Sequence, residues 1–235
     1  MWKNPNDGAF HGVNKTLSAP SLLQAVKIRA ELGWKAWNAP SPLMGRMNSP
    51  RNRIEVQVGW KPPSVGWTKL NVDGAASANS GIAGASGLLR GADGSWISGF
   101  VAGVGSCSAI CSELWAIFHG LKMAWRHDCR TLIVETDSQL AIQLVKDRSH
   151  PLHPYAALLM AIRRLLAQDW IVNLVHVYRE GNRVADWLSK HSLVYPYGTH
   201  ELETPPHELL QLLQDDAEGA TFARLIIPSP GSPHL

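Results

Sequence analysis

Three cysteines in 235 residues, Cys107, Cys111 and Cys129, are too few and too odd in number for a disulfide framework. None has the C-x-x-C spacing of a zinc ribbon, so they read as small core residues. No stretch approaches the ~20 apolar residues of a membrane span. The opening MWKNPNDGAFHG lacks the apolar run of a secretory signal, so the chain is expected to be intracellular, in nucleus or cytoplasm, and not secreted. Charge of one sign is scarce too. A formal net charge of +3 permits a nucleic-acid partner without arguing for one, because a basic patch matters more than the sum. The glycine-rich GIAGASG is not followed directly by a helix, which excludes a dinucleotide fingerprint. Ser108, Ser112 and His119 form no nucleophile arrangement with an acid. Nothing marks oligomerisation, and the chain is treated as a monomer.

What is present suits an α/β domain with flanking segments. Residues 1–65 read as an N-terminal extension and linker: SLLQAVKIRAELGWKAW can form one short helix, and NAPSPLMGRMNSPRNR and GWKPPSVGW are breaks. Residues 66–195 carry regular elements. WTKLNVDGAA alternates as a strand, and GIAGASGLLRGADGSWISGFVAGVGS reads as a hairpin turning at Asp93-Gly94. CSELWAIFHGLKMAWRH puts Leu114, Ile117, Phe118, Leu121 and Trp125 on one helical face. TLIVETD is a buried strand, SQLAIQLVKD a helix capped by Ser138, YAALLMAIRRLLAQ an amphipathic helix, WIVNLVHVY a strand and NRVADWLSKHS a helix. Three strands followed by strand–helix alternation imply a mixed sheet with helices covering it. Residues 196–235 read as a C-terminal extension, with a docking helix in TPPHELLQLLQDD and a loose tail.

The acids then stand out. Asp73 lies inside the first strand, where a carboxylate is disfavoured and would have to be buried. Glu113 falls in the first turn of a helix, Asp137 ends the TLIVETD strand, and Asp186 lies in the last helix. Glu113 and Asp137 are each also what a helix N-terminus favours, and Asp186 is what a solvated helix carries. Periodicity does not bring the four together.

VDGAASANSGIAG, SELWA, ETDSQ and REGNRVADWL, in this order, resemble the type 1 ribonuclease H family, most closely plant ribonuclease H-like domains related to non-LTR retrotransposons. The resemblance covers roughly residues 66–195. It implies a five-stranded mixed sheet in the order 3-2-1-4-5 with helices on both faces, in which strands one and four are neighbours. Asp73, Glu113, Asp137 and Asp186 would then meet. Four acids in one cleft repel one another unless a cation joins them. Hard oxygen ligands suit Mg²⁺, with Mn²⁺ as a substitute, and two ions would serve in-line phosphoryl displacement. The implied activity is endonucleolytic hydrolysis of the RNA strand of an RNA–DNA hybrid, with Gly74, Asn79, Gln139, Asn182 and Arg179 as substrate-binding positions.

The chain also departs from the family pattern. YREGNRVAD is short and holds no histidine loop, so Arg179 stands where a histidine is common. No basic protrusion fits between Asp137 and Asp186, and Ala109 replaces a polar residue that contacts hybrid. Arg163 and Arg164, with Lys122, Arg126, Arg130, Lys146 and Arg148, supply scattered charge that can meet phosphates or simply solvate helices. The competing reading is a retroelement-derived domain that binds nucleic acid, or a partner protein, with little or no cleavage.

Overall fold

A computed structural model describes residues 53–147 and 153–227. The helix expected over SLLQAVKIRAELGWKAW, most of the linker behind it, Arg148 and the last eight residues lie outside that description. The strands are β1 (Ile54–Val58), β2 (Thr68–Ala76), β3 (Ile82–Arg90), β4 (Trp96–Ser106), β5 (Thr131–Thr136), β6 (Ile171–His176), β7 (Gly198–Leu202) and β8 (Phe222–Ile226). The helices are α1 (Ala109–Arg126), α2 (Gln139–Lys146), α3 (Ala156–Leu166), α4 (Arg183–Ser192) and α5 (Leu210–Ala217). Among the described residues, no helix is long and apolar enough to cross a membrane.

The main sheet runs β6-β5-β2-β3-β4-β7. Strands β2, β3, β4 and β7 are antiparallel neighbours, while β5 and β6 run parallel to β2. The expected order 3-2-1-4-5 is therefore present as β4-β3-β2-β5-β6. The correction is a sixth strand, β7, on the outer edge of β4. Its sequence, GTHEL, has a single large apolar residue and no alternation, so periodicity could not flag it. It forms because the long strand β4 would otherwise leave an open row of backbone groups. β8 pairs separately with β1 as an antiparallel ribbon.

Alternation along β2 sends its residues to opposite faces. Leu70 and Val72 meet α1, whose Leu114, Ile117 and Leu121 are fully buried beneath Leu159 and Ile162 of α3. Of the other two residues expected on the same face, Phe118 packs half-buried against this core and Trp125 is half-buried against the Trp170 ring. A second core on the other face joins Leu88 and Val101 to Val184, Ala185 and Leu188 of α4 and to Leu209 before α5. Each of the leucine, isoleucine and valine side chains contributes ~1.5–3 kcal/mol on burial. The β3–β4 turn forms at the expected place: Gly94 has φ +81°, and Asp93 accepts hydrogen bonds from the Ser95 amide and hydroxyl. Ser108 caps α1 through the Cys111 amide, and Ser138 caps α2 through that of Ala141, each at 3.3 Å. All three cysteines are free; Cys129 is buried and the other two half-buried.

Candidate functional site

The sheet order places the acids before any side chain is considered. The parallel pairing of β2 with β5 sets Asn71 opposite Glu135. Two residues further along each chain stand Asp73 and Asp137. Glu113 comes from α1, and it needs Gly74 to arrive. A Cβ on Gly74 would lie 2.4 Å from the Glu113 amide nitrogen and from the Ser112 carbonyl carbon, so only glycine lets this helix close on the strand. Asp73, Glu113 and Asp137 each offer a carboxylate oxygen, and the three lie within 4.8 Å of one another.

Glu113 corrects one expectation. The helix begins at Ala109, so Glu113 sits in its second turn, and no acid occupies the first. Attraction to a helix N-terminus does not account for it. Its carboxylate instead accepts from Thr136 Oγ1 at 3.4 Å and from the Gly74 amide.

The electrostatics are those of crowded anions. Burial, then Asp73 and Asp137, push the Glu113 carboxyl up to about 9, with the Thr136 and Gly74 hydrogen bonds pulling the other way. Burial also pushes Asp73 up, from 3.8 to about 7, reinforced by Asp137 and Asp186 and opposed by a hydrogen bond donated by Ser189. A hard divalent ion fits this arrangement. Mg²⁺ holds oxygen ligands at 2.0–2.1 Å, so opposite ligands lie ~4.2 Å apart, close to the spacing present. A cation there would also remove the repulsion that otherwise keeps protons on the cluster.

Asp186 stands at the margin. It is near enough to raise Asp73, yet it is not within the 4.8 Å group. Arg179 pairs with one of its oxygens, donating from Nε at 2.8 Å, and Lys190 donates to the other at 2.6 Å. Arg179 thus reaches the acid end of the site from the short turn Arg179–Gly181. Asn79 is exposed in the β2–β3 turn, and Gln139 is exposed at the start of α2, both open to a ligand. Asn182 is different. It is buried, with its amide donating to the Val72 carbonyl at 3.0 Å and its Oδ1 accepting from Asn71. Its amide is spent within the protein, and it braces α4 against β2. Arg163 is likewise spent, donating to the Leu144 and Val145 carbonyls that end α2. Arg126 pairs with Glu201 and Arg130 with Asp128, while Lys122 lies over the Phe118 ring. A separate apolar cavity of about 360 Å³, lined by Trp115, Phe118, Tyr155 and Leu158 among others, contains none of the four acids.

Ser189, Thr136 and Lys190 were not read from the sequence as site residues. Ser189 had a signal: it follows Asp186 by three positions and so shares its helix face. Thr136 had a weaker one, in its place between two acids of ETD.

Comparison with known proteins agrees with this geometry. A family model described as reverse transcriptase-like matches residues 71–192. A protein of Arabidopsis thaliana, named provisionally as a ribonuclease H protein, is 38% identical over 174 residues. That alignment covers 74% of this chain, which spans only 28% of the relative's length. Two solved structures share the fold at a TM-score of 0.50. Ribonuclease H1 of Halobacterium salinarum is 24% identical, over 54% of this chain and 97% of its own. The N-terminal ribonuclease H domain of a Mycobacterium tuberculosis protein is 23% identical, over 54% of this chain and 93% of its own.

Proposed function

Since the chain belongs to the reverse transcriptase-like, ribonuclease H-like family, we propose that it is a metal-dependent endonuclease that hydrolyses the RNA strand of RNA–DNA hybrids. The observation that carries this reading is the convergence of Asp73, Glu113 and Asp137. Divalent ions bound there, Mg²⁺ or Mn²⁺, would supply charge neutralisation and water activation for an in-line phosphodiester hydrolysis that leaves a 3′-hydroxyl and a 5′-phosphate.

The chain's own residues do the rest. Asp73 and Asp137, brought side by side by the β2–β5 pairing, would be the central ligands. Ser189 holds Asp73 by its hydrogen bond, and the Gly74 amide and Thr136 hydroxyl hold Glu113. Glu113 also faces the 2′-hydroxyl, the group that separates RNA from DNA. Asp186, now paired with Arg179 and Lys190, is the acid that would be available to help hold a second ion. Gly74, Asn79 and Gln139 line the approach of the hybrid, and Arg179 meets a phosphate when released.

A second reading, a nucleic-acid-binding domain with little cleavage, draws on one observation: Asp186 is held by two cations outside the acid group. Incubation of the protein with an end-labelled hybrid and Mg²⁺ separates the two. Cleavage by the wild type, lost in Asp73→Asn and Asp137→Asn, supports the nuclease. Hybrid retention with equal inertness of all three proteins supports the binding domain.

A further inference from the structure

Beneath the acid cluster lies a second polar layer, fully buried and unlike a protein core. Lys69, Asn71, Arg90, Glu135, Asn182 and Asp216 are all shielded from solvent, each exposed by 7% or less. Two of its anchors, Trp60 and Asp216, come from outside the family-matched residues 71–192.

The layer is wired in one direction. Asp216 of α5 accepts from Arg90 Nη1 at 2.7 Å. Arg90 lies 3.6 Å from the centre of the Trp60 ring and donates from Nη2 to Asn71 Oδ1 at 2.9 Å. The Trp60 indole donates to the same oxygen at 3.0 Å. Neither partner can accept a hydrogen bond, so both orient the Asn71 amide with its oxygen toward them. The Asn71 NH₂ must then point the other way. It donates to Glu135 at 2.8 Å and to Asn182 Oδ1 at 3.0 Å. Glu135 is also paired with Lys69 at 2.6 Å. With its own oxygen occupied, Asn182 offers its NH₂ to the Val72 carbonyl.

The two inner branches of this wiring lead to the elements that carry the acids. Asn71–Glu135 spans β2 and β5 two residues before Asp73 and Asp137. Asn182 begins α4, accepts the Asp186 amide on its own carbonyl, and so sets the helix that carries Asp186 and Ser189. We infer that Asp216 and Trp60 are positioning residues for the acid cluster, acting through Arg90, Asn71 and Asn182. The segments flanking the family domain are thus working parts of its site. This inference rests on the metal-site reading above.

The test uses the full chain and Mn²⁺ alone as the probe. Asp216→Ala leaves a buried guanidinium without its partner and can unfold the protein. The informative variant is therefore Arg90→Met with Asp216→Leu, since an apolar pair of similar volume often preserves stability while removing the donor to Asn71. Partners one layer behind a metal's ligands typically change affinity by ~10–100-fold. Positioning predicts an unchanged melting temperature, Mn²⁺ binding weaker by about that factor, and a lower kcat with the KM for hybrid retained. It also predicts faster hydrogen exchange at the Asp186–Ser189 amides. Unchanged Mn²⁺ affinity together with unchanged exchange overturns it. Should the wild type bind no Mn²⁺, the metal reading alone fails, and the exchange rates still decide the positioning. Should the double variant melt early, Trp60→Phe, which removes one donor to Asn71, is judged by the same readouts.

Discussion

Replacing Asp73 with asparagine is expected to stabilise the metal-free protein while abolishing the proposed hydrolysis. Asp73 is 6% exposed, and its carboxyl is raised from 3.8 to about 7, first by burial and then by the neighbouring acids. Holding it ionised at pH 8 costs folding roughly 4 kcal/mol. Asparagine removes that charge but weakens the hydrogen bond from Ser189, whose charge-assisted form is worth about 1.5–3 kcal/mol. The net expectation is a gain of about 1–3 kcal/mol, or a melting temperature higher by roughly 2–12 °C for a domain of this size. The pH dependence has a definite sign. The folded state holds its proton up to about 7 and the unfolded chain only to 3.8. The wild type therefore loses stability as pH rises from 3.8 to about 7, and the loss levels off above. At pH 5 the folded protein keeps the Asp73 carboxyl protonated, so most of that cost is gone and the variant's advantage should vanish. Thermal melts in EDTA at pH 5 and pH 8 read both effects. Mg²⁺ at pH 8 should raise the wild type more than the variant. A variant no more stable than wild type at pH 8 without metal, or an advantage equal at both pH values, would refute the reasoning.

Other outcomes follow from the same geometry. Gly74→Ala forces a methyl to within 2.4 Å of the α1 backbone and should cost about 1–3 kcal/mol in urea denaturation, with weaker Mg²⁺ binding by calorimetry. Ser189→Ala frees one Asp73 oxygen and should weaken Mg²⁺ binding by ~10–100-fold while the circular dichroism spectrum is kept. Leu114→Ala, in the fully buried face of α1, should lower stability by about 2–5 kcal/mol through its cavity, measured by the same denaturation.

What could be read from the chain and what could not divide along physical lines. Asp73 was legible because a carboxylate inside an apolar strand contradicts its surroundings, and a contradiction is a local signal. The β3–β4 hairpin, the buried face of α1 and the Ser138 cap were legible for the same reason: turn residues, helical spacing and a hydroxyl before a helix act over a few positions. β7 and the β1–β8 ribbon were not. GTHEL carries no alternation and is ordered by the free edge of β4; IEVQV does alternate, but it is a short run beside a proline-rich break whose partner lies more than 160 residues away. Asn182 fits the Asn-x-x-x-Asp spacing, yet the spacing does not say whether its amide faces a ligand or the protein.

The buried layer beneath the acids shows why such residues escape reading. Asp216 sits in QLLQDDAEG, which looks like any solvated helix end, and Trp60 sits in a proline-rich break. Neither contradicts its neighbours in sequence. The contradiction appears only when the fold buries Arg90 and so demands an anion and a flat ring against it. A carboxylate that binds metal must sit at an exact height above its sheet, and packing of apolar side chains alone tolerates small slips. Hydrogen bonds between amides, each with a direction, do not tolerate them. Where an acid cluster must hold its spacing against its own repulsion, a directional layer beneath it is the structure that chemistry requires, and its outermost members come from wherever the chain returns.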